Sequence, residues 1–388
     1  MQRQQHFRRK QLRQYSSRRR VCLRRRATPT APLQCSSATH SHIGYVDEKG
    51  ARWLRGVVSY DGASFNGFQL QRSAAKGITK RTVQSELERV LLLLASGSTR
   101  EELSLCAASR TDAGVHATCN VIRFRLPPTT NTAREASEAL LRQCMNRLLA
   151  SDIRVLALES SPRSFHPAIC VSSKTYHYLV HIAEEVDPYY RDYRHSVRPI
   201  RPSASEQMQK QRDSTDDDDD DDDDEEEEDS EDHQKDHVDD GDNSGCFDEV
   251  MPHFDAMCKA ASCFVGEHDF SSFTNKADEQ RRQGRSLVRV VRRCDVVRTE
   301  YGLRIEVEAK GFLYRMVRNI AGTLLAIGMG VLDDDDGNAV PTLMDACDRT
   351  AAPAAAPARG LHLVDVSYVT DFEFATREKA RSARTVPG

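Results

Sequence analysis

An unbroken run of fourteen acidic residues, Asp216 to Asp229, constrains this chain more than any other feature. Such a stretch repels itself and has nothing apolar to bury, so it cannot join a core and must loop out of its surroundings. The wider segment 203–250 holds twenty-four acids against three bases, a balance of −21. Residues 1–46 are the opposite, with eleven Lys or Arg and no acid before Asp47. The net charge of −4 over 388 residues therefore conceals a mildly basic remainder of +6. That balance suits a partner carrying negative charge.

The expected organisation follows from these shifts. Residues 1–46 are a disordered basic leader, 47–164 an N-terminal half, and 165–375 a C-terminal half interrupted by the disordered acidic insert 203–250. Residues 376–388 are a tail. The leader is rich in Arg, interspersed with Ser and lacks a secretory apolar stretch, which is the composition of a mitochondrial or plastid transit peptide. Arg13-Gln14-Tyr15-Ser16 also resembles a matrix-protease cleavage site. A mitochondrial location is expected; a basic arm that touches RNA, or a nuclear signal, is the alternative.

Eleven cysteines include no C-x-x-C pair, and the closest two, Cys258 and Cys263, fit no common zinc spacing. Scattered buried thiols in a reducing compartment are expected, and no metal site. No apolar run approaches the roughly 20 residues that span a bilayer, so no membrane partner is expected.

Within the core, alternation in "WLRGVVSY" (53–60) predicts a strand ending at Asp61-Gly62. Thr82 is placed to cap a helix with Val83, Leu87, Val90, Leu91 and Leu94 on one face. Strands are predicted at "LSLCAAS", "ATCNVIRFRL" and "IRVLALES", with a helix from about 134 to 150. The second half repeats the mixture. "SKTYHYLVHI" reads as a strand, "VMPHFDAMCKAASCF" as a helix, and the segment 286–309 as a strand pair turning near Gly302. "FLYRMVRNIAGTLLAIG" reads as an amphipathic helix burying Phe312, Met316, Ile320 and Ile327, and Asp333–Asp336 as a helix-ending turn. The pattern predicts an α+β fold of two similar α/β halves with largely antiparallel sheets.

Between "LSLCAAS" and "ATCNVIRFRL" lies a short polar turn in which Asp112 sits between Arg110 and Gly114. Glycine there permits backbone angles other residues avoid. A turn of this kind is most simply an exposed Asp; five further motifs in fixed order change the reading. "YDGASFNGFQLQ" (60–71), "SRTDAGVHA" (109–117), "FHPAICVSSKTYHY" (165–178), "GEHDFSSF" (266–273), "GFLYRMVRNIAGTL" (311–324) and "APARGLHLVDVSY" (356–368) occur in register. Together they resemble the signatures of the TruA-type tRNA pseudouridine synthases.

That resemblance implies a pseudouridine synthase fold whose two halves join around a central basic cleft, working as a homodimer on tRNA. It implies conversion of uridine to pseudouridine in the anticodon arm, at positions 38 to 40, without a cofactor. Breaking the N1–ribose bond and rejoining the base through C5 calls for a carboxylate that stays ionised, as nucleophile or base. The matching residue is Asp112. Arg318, in "MVRNI", is the matching cation, expected to pair with Asp112 through two parallel hydrogen bonds. Arg110 matches the residue that enters the space left by the flipped base, and Tyr176 the aromatic that packs against the uracil. Tyr178 and His116 are read as structural; Tyr60, Asp61, Phe68 and Gln69 as supports of the cleft. Phosphate contacts are expected from among Lys174, Arg281, Arg282, Arg285, Arg289, Arg292, Arg293, Lys310 and Arg315. A synthase acting on other uridines or other RNAs, or a non-catalytic RNA-binding protein or chaperone on this fold, would share the same motifs.

Overall fold

The computed structural model describes residues 46, 50–71, 80–127, 136–183, 187–197 and 247–368, apart from 249, 252 and 335. All belong to one compact unit, Ile43–Gly388. The basic leader up to residue 45, the acidic insert up to residue 246 and the tail 376–388 lie outside the described residues. Phe247 and Val250, within the range assigned to the insert from composition, are buried, and the Arg298 guanidinium lies 3.9 Å from the Phe247 ring centroid.

Ten strands of the described residues form one sheet. They are β1 (Arg52–Tyr60), β2 (Cys106–Ala107), β3 (His116–Leu126), β4 (Ile153–Ser160), β5 (Val171–Ile182), β6 (His195–Val197), β7 (Gly266–Asp269), β8 (Val288–Thr299), β9 (Gly302–Ala309) and β10 (Leu361–Tyr368). The order is β4-β1-β3-β10-β5-β9-β8-β7, with β2 beside β3 and β6 beside β5. Only the β3–β10 and β5–β6 contacts are parallel. The sheets of the two halves are thus joined by β10, which comes from the far end of the chain. Leu363 stands opposite Ala117 of β3 and Tyr176 of β5, so this one residue sets the start of β3 beside the middle of β5.

Helices cover the sheet where the 3.6-residue period places apolar side chains on one face. In α1 (Val83–Leu94), Val83, Leu87, Val90 and Leu91 are buried, and Thr82 and Ser85 form a reciprocal cap. Next come the short α2 (Arg100–Leu103), then α3 (Glu138–Leu148), α4 (Phe254–Cys263), α5 (Ala277–Arg282), α6 (Met316–Gly328) and α7 (Ala339–Ala346). The aspartates expected to end a helix instead serve the start of the next: Ala339 N–H donates to Asp334 Oδ1 at 2.8 Å.

Two elements depart from the periodicity reading. The "LSLCAAS" strand shrinks to Cys106–Ala107, because Leu103 closes the α2 turn and Ser104 adopts a left-handed conformation. The helix expected from residue 312 begins at Met316, because Arg315 is left-handed, with φ 60° and ψ 10°. Nor is α6 amphipathic: twelve of its thirteen residues are buried, Arg318 being the exception. A helix enclosed on every side is largely apolar, with Asn319 and Thr323 as its buried polar residues, so its one charged residue, Arg318, stands out. Gly322 lets this helix pass tightly, since a Cβ there would lie 2.1 Å from the Ala354 carbonyl oxygen. The segment so admitted carries Ala356 to within 2.9 Å of the Arg318 carbonyl.

Candidate active site

The loop from Ala108 to Val115 is fixed from both sides by buried polar groups. Asn120, fully buried on β3, accepts from Ser109 N–H at 3.2 Å and donates from Nδ2 to the Ser109 carbonyl at 2.9 Å. The same Nδ2 donates to the Tyr60 hydroxyl at 3.2 Å, and that hydroxyl meets Thr111 Oγ1 at 2.8 Å. Phe68 N–H donates to the Thr111 carbonyl, while Gly114, at φ 77°, turns the chain into β3. A buried polar group left unmatched is costly, so this network holds the loop in one geometry. Sequence reasoning missed Asn120; its signal was a lone amide between the apolar Cys119 and Val121 of a predicted strand.

The loop forms one wall of a cavity of about 420 Å³, lined also by Phe68, Gln69, Lys174, Tyr176, Phe312 and Arg315. Its size is that of a small-ligand site. The Asp112 carboxylate, with its side chain 24% exposed, faces Arg318 at 3.8 Å between Oδ2 and Nη1. Arg318 Nε donates to the Ala356 carbonyl at 2.7 Å. The two parallel hydrogen bonds expected from sequence are therefore replaced by one longer charge contact. The Nε edge of the guanidinium is held by the Ala356 carbonyl. Burial raises the Asp112 carboxyl above the ordinary carboxylate range, opposed in turn by Arg318, Arg315 and Lys276.

Tyr176 is buried, its ring edge-on to Phe312 at 5.2 Å between centroids, and its hydroxyl lies 2.6 Å from Ser109 Oγ. Burial pushes its pKa up, which keeps the phenol neutral. Arg110 lines the same cavity at its exposed margin, with no hydrogen bond or ion pair to any described residue. The four residues Asp112, Arg110, Tyr176 and Arg318 thus converge on one place, from three separate segments of chain.

Tyr178, one strand position pair further along β5, is fully buried and its hydroxyl donates to the Pro357 carbonyl at 3.0 Å. His116 accepts from Gly62 N–H at Nδ1, bonds the Asp192 carbonyl from Nε2 at 2.8 Å, and stacks on His362 at 4.6 Å. Burial lowers its pKa, so the 3.2 Å approach of Asp61 to Nδ1 is not an ion pair at neutral pH. Asp61 lies away from the cavity lining and accepts from the Tyr193 hydroxyl at 2.7 Å.

Of the basic residues considered for phosphate contact, two reach the cavity, Lys174 and Arg315. Lys174 Nζ donates to the Ala108 carbonyl, and burial brings its pKa down to about 8. Arg293 is taken up by Glu306, Asp295 and Glu308 on the sheet. Among the described residues no group of three or more His, Cys, Asp or Glu could hold a metal ion, and no helix is long and apolar enough to cross a membrane. Eight described cysteines are free thiols; Cys119 and Cys294 are buried, whereas Cys347 is exposed.

The chain has its counterparts among pseudouridine synthases. A family model described as tRNA pseudouridine synthase matches residues 260–369. The tRNA pseudouridine synthase A 1 of Protochlamydia amoebophila is 30% identical over 312 residues, covering 80% of this chain and 94% of the relative. The tRNA pseudouridine synthase A of Bacillus subtilis is 30% identical over 315 residues, 81% of this chain and 98% of its own. That of Ruminiclostridium cellulolyticum is 31% identical over 320 residues, covering 82% and 100%. The class is thus that of the pseudouridine synthases, which are isomerases. Within it, the chain belongs to the tRNA pseudouridine synthase A (TruA) family.

Proposed function

We propose that this protein isomerises uridine to pseudouridine in the anticodon arm of tRNA, at positions 38 to 40, with Asp112 as the essential carboxylate. The observation that carries the reading is the meeting of Asp112, Arg318, Tyr176 and Arg110 around one cavity. The target base leaves its stack, and Arg110 at the margin fills the space vacated. Tyr176 packs against the uracil. The C1′–N1 bond breaks, the base turns, and C1′ bonds to C5; C5 gives up a proton and N1 regains one. The isomerisation is redox-neutral, so its balance calls for no cofactor.

Asp112 acts on the ribose or base as nucleophile or base. Burial makes its ionised form more basic than a solvated carboxylate, while Arg318 keeps that form populated. Family resemblance supports a homodimer, and the Arg-rich, acid-free composition of residues 1–46 supports a mitochondrial location. Fusing that segment to a fluorescent reporter tests the location; diffuse cytoplasmic signal would discard it.

The decisive experiment maps pseudouridine in tRNA incubated with the wild-type chain, with Asp112→Asn, and with a chain lacking residues 203–246, which spares the buried Phe247 and Val250. Product in the anticodon arm that vanishes with Asp112→Asn is expected. Product that survives the substitution would remove Asp112 from the chemistry. Binding without product in the wild type would favour the RNA-binding alternative.

A further inference from the structure

The cavity holds more positive charge than Asp112 can balance. Arg110, Lys174 and Arg315 line it together with that single carboxylate, and Arg318 stands behind. Arg318 is engaged by Asp112 and Ala356, and Lys174 by the Ala108 carbonyl. Arg315 is different. No described residue accepts a hydrogen bond from its guanidinium or pairs with its charge, and its Nε is closed off from solvent without a partner.

Its backbone is unusual as well. Arg315 is one of three described non-glycine residues with positive φ, a conformation that side chains with a Cβ adopt only when their surroundings impose it. The turn ends just before Met316, the first residue of α6, and leaves the Arg315 guanidinium 5.2 Å from the Tyr314 ring centroid. Lys276 Nζ lies at the same distance from that ring. Arg315 is therefore a cation held inside a ligand cavity, beside the amino end of a thirteen-residue helix whose first N–H groups carry partial positive charge.

We infer that Arg315 binds the phosphate of the target nucleotide once its base is flipped into the cavity. The inference rests on the functional reading above, which supplies a uridine within a polynucleotide. A uracil ring is neutral and would leave the surplus charge standing. The phosphodiester that enters with it brings the missing negative charge, in a form a guanidinium grips through two parallel hydrogen bonds. Arg110 at the margin and Arg315 inside then hold the nucleotide together.

Asparagine tolerates the left-handed conformation, so Arg315→Asn removes the charge while keeping the turn. The test measures tRNA dissociation constants and kcat/KM for the full-length wild type and this variant across a salt series, with thermal unfolding as a control for folding. Expected for Arg315→Asn are an unfolding midpoint no lower than wild type, binding weakened about tenfold, and a plot of log K against log salt shallower by about 0.7 to 0.9, the share of one phosphate contact. A substrate with a methylphosphonate beside the modified uridine should cost the wild type the same factor and cost the variant nothing further. An unchanged salt slope, or a methylphosphonate penalty equal in both proteins, would overturn the inference. Wild type that binds tRNA without forming pseudouridine would instead overturn the functional reading, and the salt slopes would still decide for or against Arg315.

Discussion

Arg318 meets Asp112 through one Nη1–Oδ2 approach of 3.8 Å, because its Nε is already bonded to the Ala356 carbonyl at 2.7 Å. The cation thus acts on the carboxylate as a nearby charge rather than as a hydrogen-bonded fork. A carboxylate free of tight bonds keeps its lone pairs for a substrate.

Replacing Arg318 by Gln should remove the first of the three charges that oppose the burial-driven rise of the Asp112 pKa. The carboxyl then titrates higher still, and a reaction that needs it ionised loses rate from the acid side. The acid limb of the kcat/KM profile is expected to move to higher pH, with the plateau lowered at least tenfold. A limb that stays in place would separate Arg318 from Asp112.

Asn120→Ala leaves Ser109 N–H and the Ser109 carbonyl without their buried partner, and the Tyr60 hydroxyl with Thr111 alone. Unsatisfied buried groups cost about 1–3 kcal/mol each, partly relieved by water, so a loss of roughly 2–4 kcal/mol is expected. Urea unfolding measures it. Turnover at a temperature where the variant stays folded should also fall, since the loop carrying Asp112 loses its anchor.

Tyr176→Phe keeps the aromatic wall against Phe312 but deletes the 2.6 Å contact with Ser109 Oγ. One hydrogen bond of about 1 kcal/mol implies roughly a fivefold fall in kcat/KM. Tyr176→Leu loses the flat ring as well and should fall much further. Equal effects of the two substitutions would show that the hydroxyl, not the ring, matters.

His362 and His116 predict acid sensitivity. Burial brings the His362 pKa down to about 3 and lowers that of His116, so folding disfavours the charged form of both stacked rings. The unfolded chain takes up protons near pH 6.5, so it gains stability relative to the native state as pH falls below that value. Each histidine then costs up to about 1.4 kcal/mol per pH unit until its folded pKa is reached. Denaturant titrations between pH 7 and 5 should show this fall, and His362→Gln should flatten its slope.

What the sequence determined by itself is what short-range physics encodes. Period-2 and period-3.6 patterns located β1, β3, β4, β5 and α1, because each alternation repeats within a few residues. The acidic run marked where no core can form, and the order of six motifs pointed to the family. Tertiary structure decided the rest. Only the placement of β10 between β3 and β5 sets Ala117 and Tyr176 on either side of Leu363, and so brings the Asp112 loop to the Tyr176 wall. Only the close passage of Ala354 over Gly322 positions Ala356 to hold Arg318 end-on. The left-handed Arg315 likewise belongs to the assembled fold, where packing forces a turn that local preference resists. Contacts between residues far apart in the chain depend on register and topology, and neither is written in the spacing of neighbours.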